Sequence, residues 1–224
     1  MRARLTLVSI AALLLGAAGA GLADTPPRAP EPKSTARAPD AKPVDKHTSE
    51  KKPDQQAQAV QPAGRTKILE DLFGRLEKTK DATEAQGIAG AIQRVWMRSG
   101  SDTADLVMER AGTLIQKKDW KTAEEMLDRL VDIEPQWAEA WNRRATVRFF
   151  QRDTSGAMED LAHVLQIEPR HFTAMVGLGA ILERNEQKAQ ALRVFRRVLE
   201  INPQLDEIQK KVDKLSIEVE GREI

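Results

Sequence analysis

Three prolines stand thirty-four residues apart, Pro135, Pro169 and Pro203, each closing a similar triplet: Ile133-Glu134-Pro135, Ile167-Glu168-Pro169 and Ile201-Asn202-Pro203. Laid in register, residues 104–137, 138–171 and 172–205 align with one another without a gap. Ala123, Ala157 and Ala191 share one offset, Leu127, Leu161 and Phe195 a second, Leu130, Val164 and Val198 a third. Proline has no amide hydrogen and forces the residue before it out of the helical region, so each triplet ends a helix. Between prolines, apolar residues return every three or four positions, as at Met126, Leu127, Leu130 and Ile133. That is the spacing of a helix with one buried face. A polar turn in the middle of each line divides it into two antiparallel helices. Such a pair cannot bury both of its faces alone, so neighbours must stack, and the fold imposed is an all-α solenoid of helical hairpins.

The flanks fit the same scheme less regularly. Thr66 to Lys80 has helical spacing through Ile68, Leu69, Leu72, Phe73 and Leu76, and Asp81 opens a second run through Ala85, Ile88, Ile92, Val95 and Trp96. This pair, within residues 65–103, has no closing proline and ends at Arg98-Ser99-Gly100-Ser101. It is expected to cap the N-terminal end of the stack, where repeats are often atypical. The regular helices are expected at Asp102–Lys117 with Trp120–Ile133, Gln136–Gln151 with Thr154–Ile167, and Arg170–Arg184 with Gln187–Ile201. Residues 206–224 then supply a capping helix whose apolar stripe is Leu205, Ile208, Val212 and Leu215, its tail fraying beyond Ile217.

The N-terminal quarter has a different composition. Arg2 and Arg4 precede an apolar run from Leu5 to Leu15 and small residues at Ala18-Gly19-Ala20 and Gly21-Leu22-Ala23, the layout of a secretory signal over residues 1–23. The alternative is an uncleaved inner-membrane anchor, because Leu5 to Leu22 carries no charge and is only slightly short for a span. Residues 24–64 hold eight of the eleven prolines and few apolar residues. Such a segment buries too little surface to offset ordering entropy and is expected to be a disordered linker. Its upper reach is on the order of 120 Å at about 3.1 Å per residue. The chain has no cysteine, which excludes a disulfide and suits an oxidising compartment. From Arg65 onward, 26 lysines and arginines face 28 acidic residues; a nucleic-acid footprint would show a clustered basic excess.

The repeated positions resemble those of the tetratricopeptide repeat family. Trp141, Ala145, Ala157, Leu161, Val164 and Pro169 occupy the family's aromatic, small and proline positions in the middle unit. Met175, Gly179, Ala191, Phe195, Val198 and Pro203 do so in the third, and Val107, Ala111, Ala123, Leu127, Leu130 and Pro135 in the first. The resemblance implies a right-handed solenoid of three repeats at 104–137, 138–171 and 172–205. Leu72-Phe73, Ser99-Gly100-Ser101, Trp141-Asn142-Arg143-Arg144-Ala145-Thr146 and Glu168-Pro169-Arg170-His171-Phe172 further resemble exported members of proteobacterial envelopes. That resemblance implies a periplasmic role connected with envelope integrity.

In this family the first helix of each unit lines a concave groove. The resemblance places Met108 and Glu109 there from the first unit, Glu139, Asn142, Arg143, Thr146, Phe149 and Phe150 from the second, and Val176, Glu183 and Arg184 from the third. The partner implied is a peptide or helix of another protein. Alternatives are self-association through an exposed surface, or service as an accessory to cell-wall or polysaccharide enzymes. Packing is the simpler account of Trp141 and Phe149, whereas the helical pattern turns Phe150 away from its partner helix. Arg144 is expected to pair with Glu159 or Asp160, and Arg148 has no evident role. The basic clamp that some members use for a partner's C-terminal carboxylate is absent, since its sites read Met108 and Gly112, Arg143, and Thr173 and Gly177.

Catalytic machinery is not legible. The three histidines, His47, His163 and His171, lack any metal-ligand spacing. Ser49-x-x-Lys52 matches a short hydrolase pattern but falls in the linker, without oxyanion donors. No cofactor or metal is expected, and no enzyme activity.

Overall fold

The computed structural model describes residues 62–221; the expected signal peptide and nearly all of the expected linker lie outside them. Among the described residues there are nine helices and no strand. They are α1 (Pro62–Lys78), α2 (Ala82–Trp96), α3 (Asp102–Gln116), α4 (Trp120–Ile133), α5 (Ala138–Phe150), α6 (Thr154–Ile167), α7 (Phe172–Arg184), α8 (Lys188–Ile201) and α9 (Asp206–Glu220). No described helix is long and apolar enough to cross a membrane. Helix α1 begins at Pro62, three residues inside the stretch expected to be linker, because proline suits the first helical turn.

The sequence period reappears in the backbone. Lys118, Arg152 and Glu186, again thirty-four apart, adopt positive φ of 60°, 71° and 60°. The following amides, Asp119 N, Asp153 N and Gln187 N, donate back to Leu114 O, Arg148 O and Leu182 O at 3.0, 2.9 and 2.9 Å. This left-handed closure satisfies the last carbonyls of each first helix and reverses the chain. Asp119 and Asp153 then cap α4 and α6 by accepting from Thr122 N and Gly156 N, as short acceptor side chains do at helix starts. Helices α5 and α7 begin two residues later than expected, since Pro135-Gln136 and Pro169-Arg170 are spent on the turn.

Small residues set the spacing within units. A β-carbon on Gly179 of α7 would lie 2.5 Å from the Phe195 ring of α8, so only glycine permits this approach. Ala123, Ala157 and Ala191 are fully buried, and Leu127, Leu161 and Phe195 pack around them in the cores of the three units. Between the first and second units runs an ion-pair cluster. Arg144 of α5 holds Asp160 of α6 with two bonds, of 3.0 and 2.8 Å, and reaches Asp128 of α4 at 2.8 Å. Arg148 bonds Glu124 of α4 at 3.0 Å and Asp160 at 3.1 Å. Arg144 therefore pairs as the sequence suggests, and Arg148 gains a role: both tie α4 to α6 through α5.

Two expectations change. The C-terminal helix does not fray beyond Ile217 but runs to Glu220; Arg196 of α8 holds Glu220 at 2.7 Å and Lys188 holds Glu218 at 3.1 Å. The α1–α2 hairpin, expected to extend the N-terminal end of the stack, shares its core instead with the opposite end. Leu69, Leu72, Phe73 and Leu76 of α1 and Ala85, Ile88, Ile92 and Trp96 of α2 join Phe172, Met175, Val176, Leu192, Phe195 and Leu215 in one continuous cluster. The period of a solenoid fixes how repeats stack on one another. It says nothing of where a non-repeating hairpin spends its apolar stripe.

Candidate functional site: the concave face

Five contacts place the hairpin across the junctions between units. Trp137, just before α5, donates its indole N–H to Trp96 O at 2.8 Å. Trp96 stacks on His171 at 3.9 Å between ring centroids and meets Phe172 at 5.2 Å. Arg170 lies over the Phe73 ring at 4.2 Å, and Gln204 donates to Thr79 O at 3.5 Å. At about 1.5 Å of rise per residue, the fifteen residues of α2 span roughly 22 Å, enough to run from one unit junction to the next but one.

Beneath Trp96 lies a buried polar group on the first helices. Glu139 accepts from Arg143 Nε at 2.7 Å and from Asn142 Nδ2 at 3.0 Å. His171 Nε2 lies 3.3 Å from the second Glu139 oxygen, out of line for a hydrogen bond. His171 Nδ1 accepts from Ala174 N at 3.3 Å and lies 3.1 Å from the Thr173 hydroxyl. Arg143 also reaches Met97 Sδ at 3.3 Å. Burial alone would raise the Glu139 pKa, but the charge and hydrogen bond of Arg143, with His171 close by, overcome it and hold the carboxyl at about 2.

The eleven expected groove residues therefore divide. Met108, Glu139, Asn142, Arg143, Thr146 and Val176 are buried. Phe149, Phe150 and Glu183 are half-buried, and Glu109 and Arg184 are exposed. Arg143, expected to meet a partner, has only 10% of its side chain exposed and is paired with Glu139. Glu183 is paired with Lys211 of α9. Phe150 stacks flat on Trp120 of α4 at 4.8 Å, which commits one of its faces to packing. Beside these lies a small apolar cleft of about 10 Å³, room for about one water, where Ala145, Thr146 and Phe149 of α5 face Gly177, Ala180 and Ile181 of α7. At its rim the Arg184 guanidinium lies 5.5 Å from the Phe149 ring centroid.

Sequence reading missed Trp96, Trp137 and His171 as parts of this face. Their signal was available only as three bulky rings outside the repeat consensus. Among the described residues no group of histidines and carboxylates is arranged to hold a metal.

Comparison with known proteins agrees with this architecture. Residues 172–205, the third line of the sequence period, match the tetratricopeptide repeat family. A TPR repeat-containing protein of Rhizobium etli is 37% identical over 153 residues, covering 68% of this chain and 75% of that protein. The chain belongs to the tetratricopeptide repeat family. Among solved structures, MamA is 14% identical with a TM-score of 0.50, over 71% of this chain and 85% of that one. The TPR2AB domain of yeast Sti1 in its pHSP90 complex is 17% identical with a TM-score of 0.48, over 69% and 64%. At these identities the likeness to MamA is one of fold.

Proposed function

We propose that this chain is a non-catalytic adaptor, exported to the periplasm, that binds a segment of a partner protein along the open part of its concave face. Tetratricopeptide repeats are protein-interaction modules, and an envelope partner fits the secretory layout of residues 1–23. The observation that carries the reading is the cleft between α5 and α7 with Arg184 at its rim. Arg184 makes no ion pair among the described residues, while the neighbouring Glu183 is neutralised by Lys211. An apolar side chain laid over the mouth of the cleft and an acidic residue beside Arg184 would complement both features. Aromatic and arginine side chains of this kind carry much of the binding energy at protein surfaces.

The test is capture of cross-linked partners from envelopes, with the native chain beside a Phe149→Ala/Arg184→Glu variant whose folding is checked by circular dichroism. The reading expects a partner that the native chain captures and the folded variant loses. The same partners captured by both would move binding off this face. Arg143→Glu is unsuitable as a probe, because it would set a second carboxylate against the buried Glu139.

A further inference from the structure

Set against the repeats, the α1–α2 hairpin occupies the place of a bound helix. Its stripe of Ala85, Ile88, Ile92 and Trp96 is buried and merges with Phe172, Met175 and Val176 of α7. The charges under it are paired on α5 itself, although Arg143 also reaches the hairpin at Met97. Glu139, Arg143 and Asn142 bond one another within α5, so lifting the hairpin would expose a paired set of charges to water and leave no lone charge.

The fit is also incomplete in a way the repeat contacts are not. Among the described residues, four buried side-chain atoms lack a hydrogen-bond partner: Trp96 Nε1, Asn142 Oδ1, His171 Nε2 and Asn202 Oδ1. Trp96 Nε1 and Asn142 Oδ1 lie where the hairpin meets the first helices, whereas His171 Nε2 faces the Glu139 carboxylate at 3.3 Å. The fourth lies in the loop from which Gln204 reaches Thr79. A buried polar atom left unpaired opposes docking, because water would have satisfied it. Unpaired polar atoms of this kind weaken the hairpin contact, and weakly held elements open locally before the rest.

We infer that the α1–α2 hairpin is a resident, exchangeable occupant of the concave face, and that the partner engaging the whole face is an amphipathic helix with small, aliphatic, aliphatic and aromatic residues spaced as Ala85, Ile88, Ile92 and Trp96. This deepens the proposed function and rests on the concave face being the binding surface. Binding then proceeds in competition with the hairpin, at an apparent affinity reduced by the fraction of time the face is covered.

Because the native chain has no cysteine, Thr79→Cys/Gln204→Cys in the full chain, joined by a short bis-maleimide, bridges hairpin to solenoid at a single place. Hydrogen exchange should show α1 and α2 losing protection together at least tenfold faster than α5–α8, and bridging should abolish the difference. A labelled synthetic peptide of residues 62–98 should bind the unbridged chain, bind the bridged chain at least tenfold more weakly, and bind full-length Trp96→Ala at least tenfold more tightly. Equal protection of hairpin and repeats, or peptide binding indifferent to the bridge, would overturn the inference. Those readouts are separate from partner capture by Phe149→Ala/Arg184→Glu, which judges the binding reading itself.

Discussion

At Glu139 the environment turns a carboxylate into a pH-dependent strut. Arg143 and His171 are the charged and titratable groups that face it, and its folded pKa of about 2 lies below the ordinary value of about 4.3. A depressed carboxylate contributes stability that is fully present above its unfolded pKa and is lost as pH falls through the folded one. Thermal unfolding of the native chain should therefore show a loss between about pH 4.5 and pH 2, on the order of 3 kcal/mol. Glu139→Gln should lack that component. Asp160 offers a second residue-scale test, for its side chain is 1% exposed and bonds both Arg144 and Arg148. Burial alone would lower the Arg144 pKa, but the bonds to Asp160 and Asp128 raise it. Asp160→Ala should cost about 3 kcal/mol, the low end for breaking a buried pair, because Asp128 and Glu124 remain as partners. Denaturant unfolding gives the number. The Arg144 pairing was legible because the offending charge sat at a usually apolar position with acids one helix away. The link to Asp128, and the bond of Arg148 to Glu124, depended on contact with the preceding unit, which a reading confined to one repeat does not provide.

Helices and turns follow the sequence closely because each boundary has a local chemical cause. Prolines close the second helices, aspartates cap α4 and α6, and left-handed residues at Lys118, Arg152 and Glu186 close the first helices. One misplaced boundary, the end of α9, rests on cross-helix partners: Glu218 and Glu220 look like a polar tail until Lys188 and Arg196 of α8 are set beside them. Packing between paired helices is equally specific. Gly179→Ala would gain about 1 kcal/mol of helix propensity, yet its methyl would press on the buried Phe195 ring, and overpacking costs roughly 1–3 kcal/mol. The net expectation is a loss of about 1 kcal/mol, measured as a lower denaturation midpoint with an unchanged slope. A gain in stability would show that α7 and α8 can separate without penalty.

For the molecule as a whole, the period made the solenoid legible and concealed what lies on it. The eleven groove positions came from the family resemblance, which assigns the same positions of every first helix to the groove. Six of them are buried, and among these Val176 shares a core with the hairpin while Arg143 reaches its Met97. Nothing in Ala85, Ile88, Ile92 or Trp96 distinguishes a stripe that continues a stack from one that crosses its concave face; only the stacking of Trp96 on His171 decides it. The part of the concave face left open is correspondingly narrower, with Arg184 at its rim. The most direct measurement replaces Arg184 with a photo-cross-linking residue in the full chain, within envelopes, and compares it with the same replacement at Arg129, exposed on α4, the second helix of its unit. The account predicts a discrete adduct from position 184 that position 129 does not give. Equal adducts from both, or an adduct from 129 alone, would contradict it.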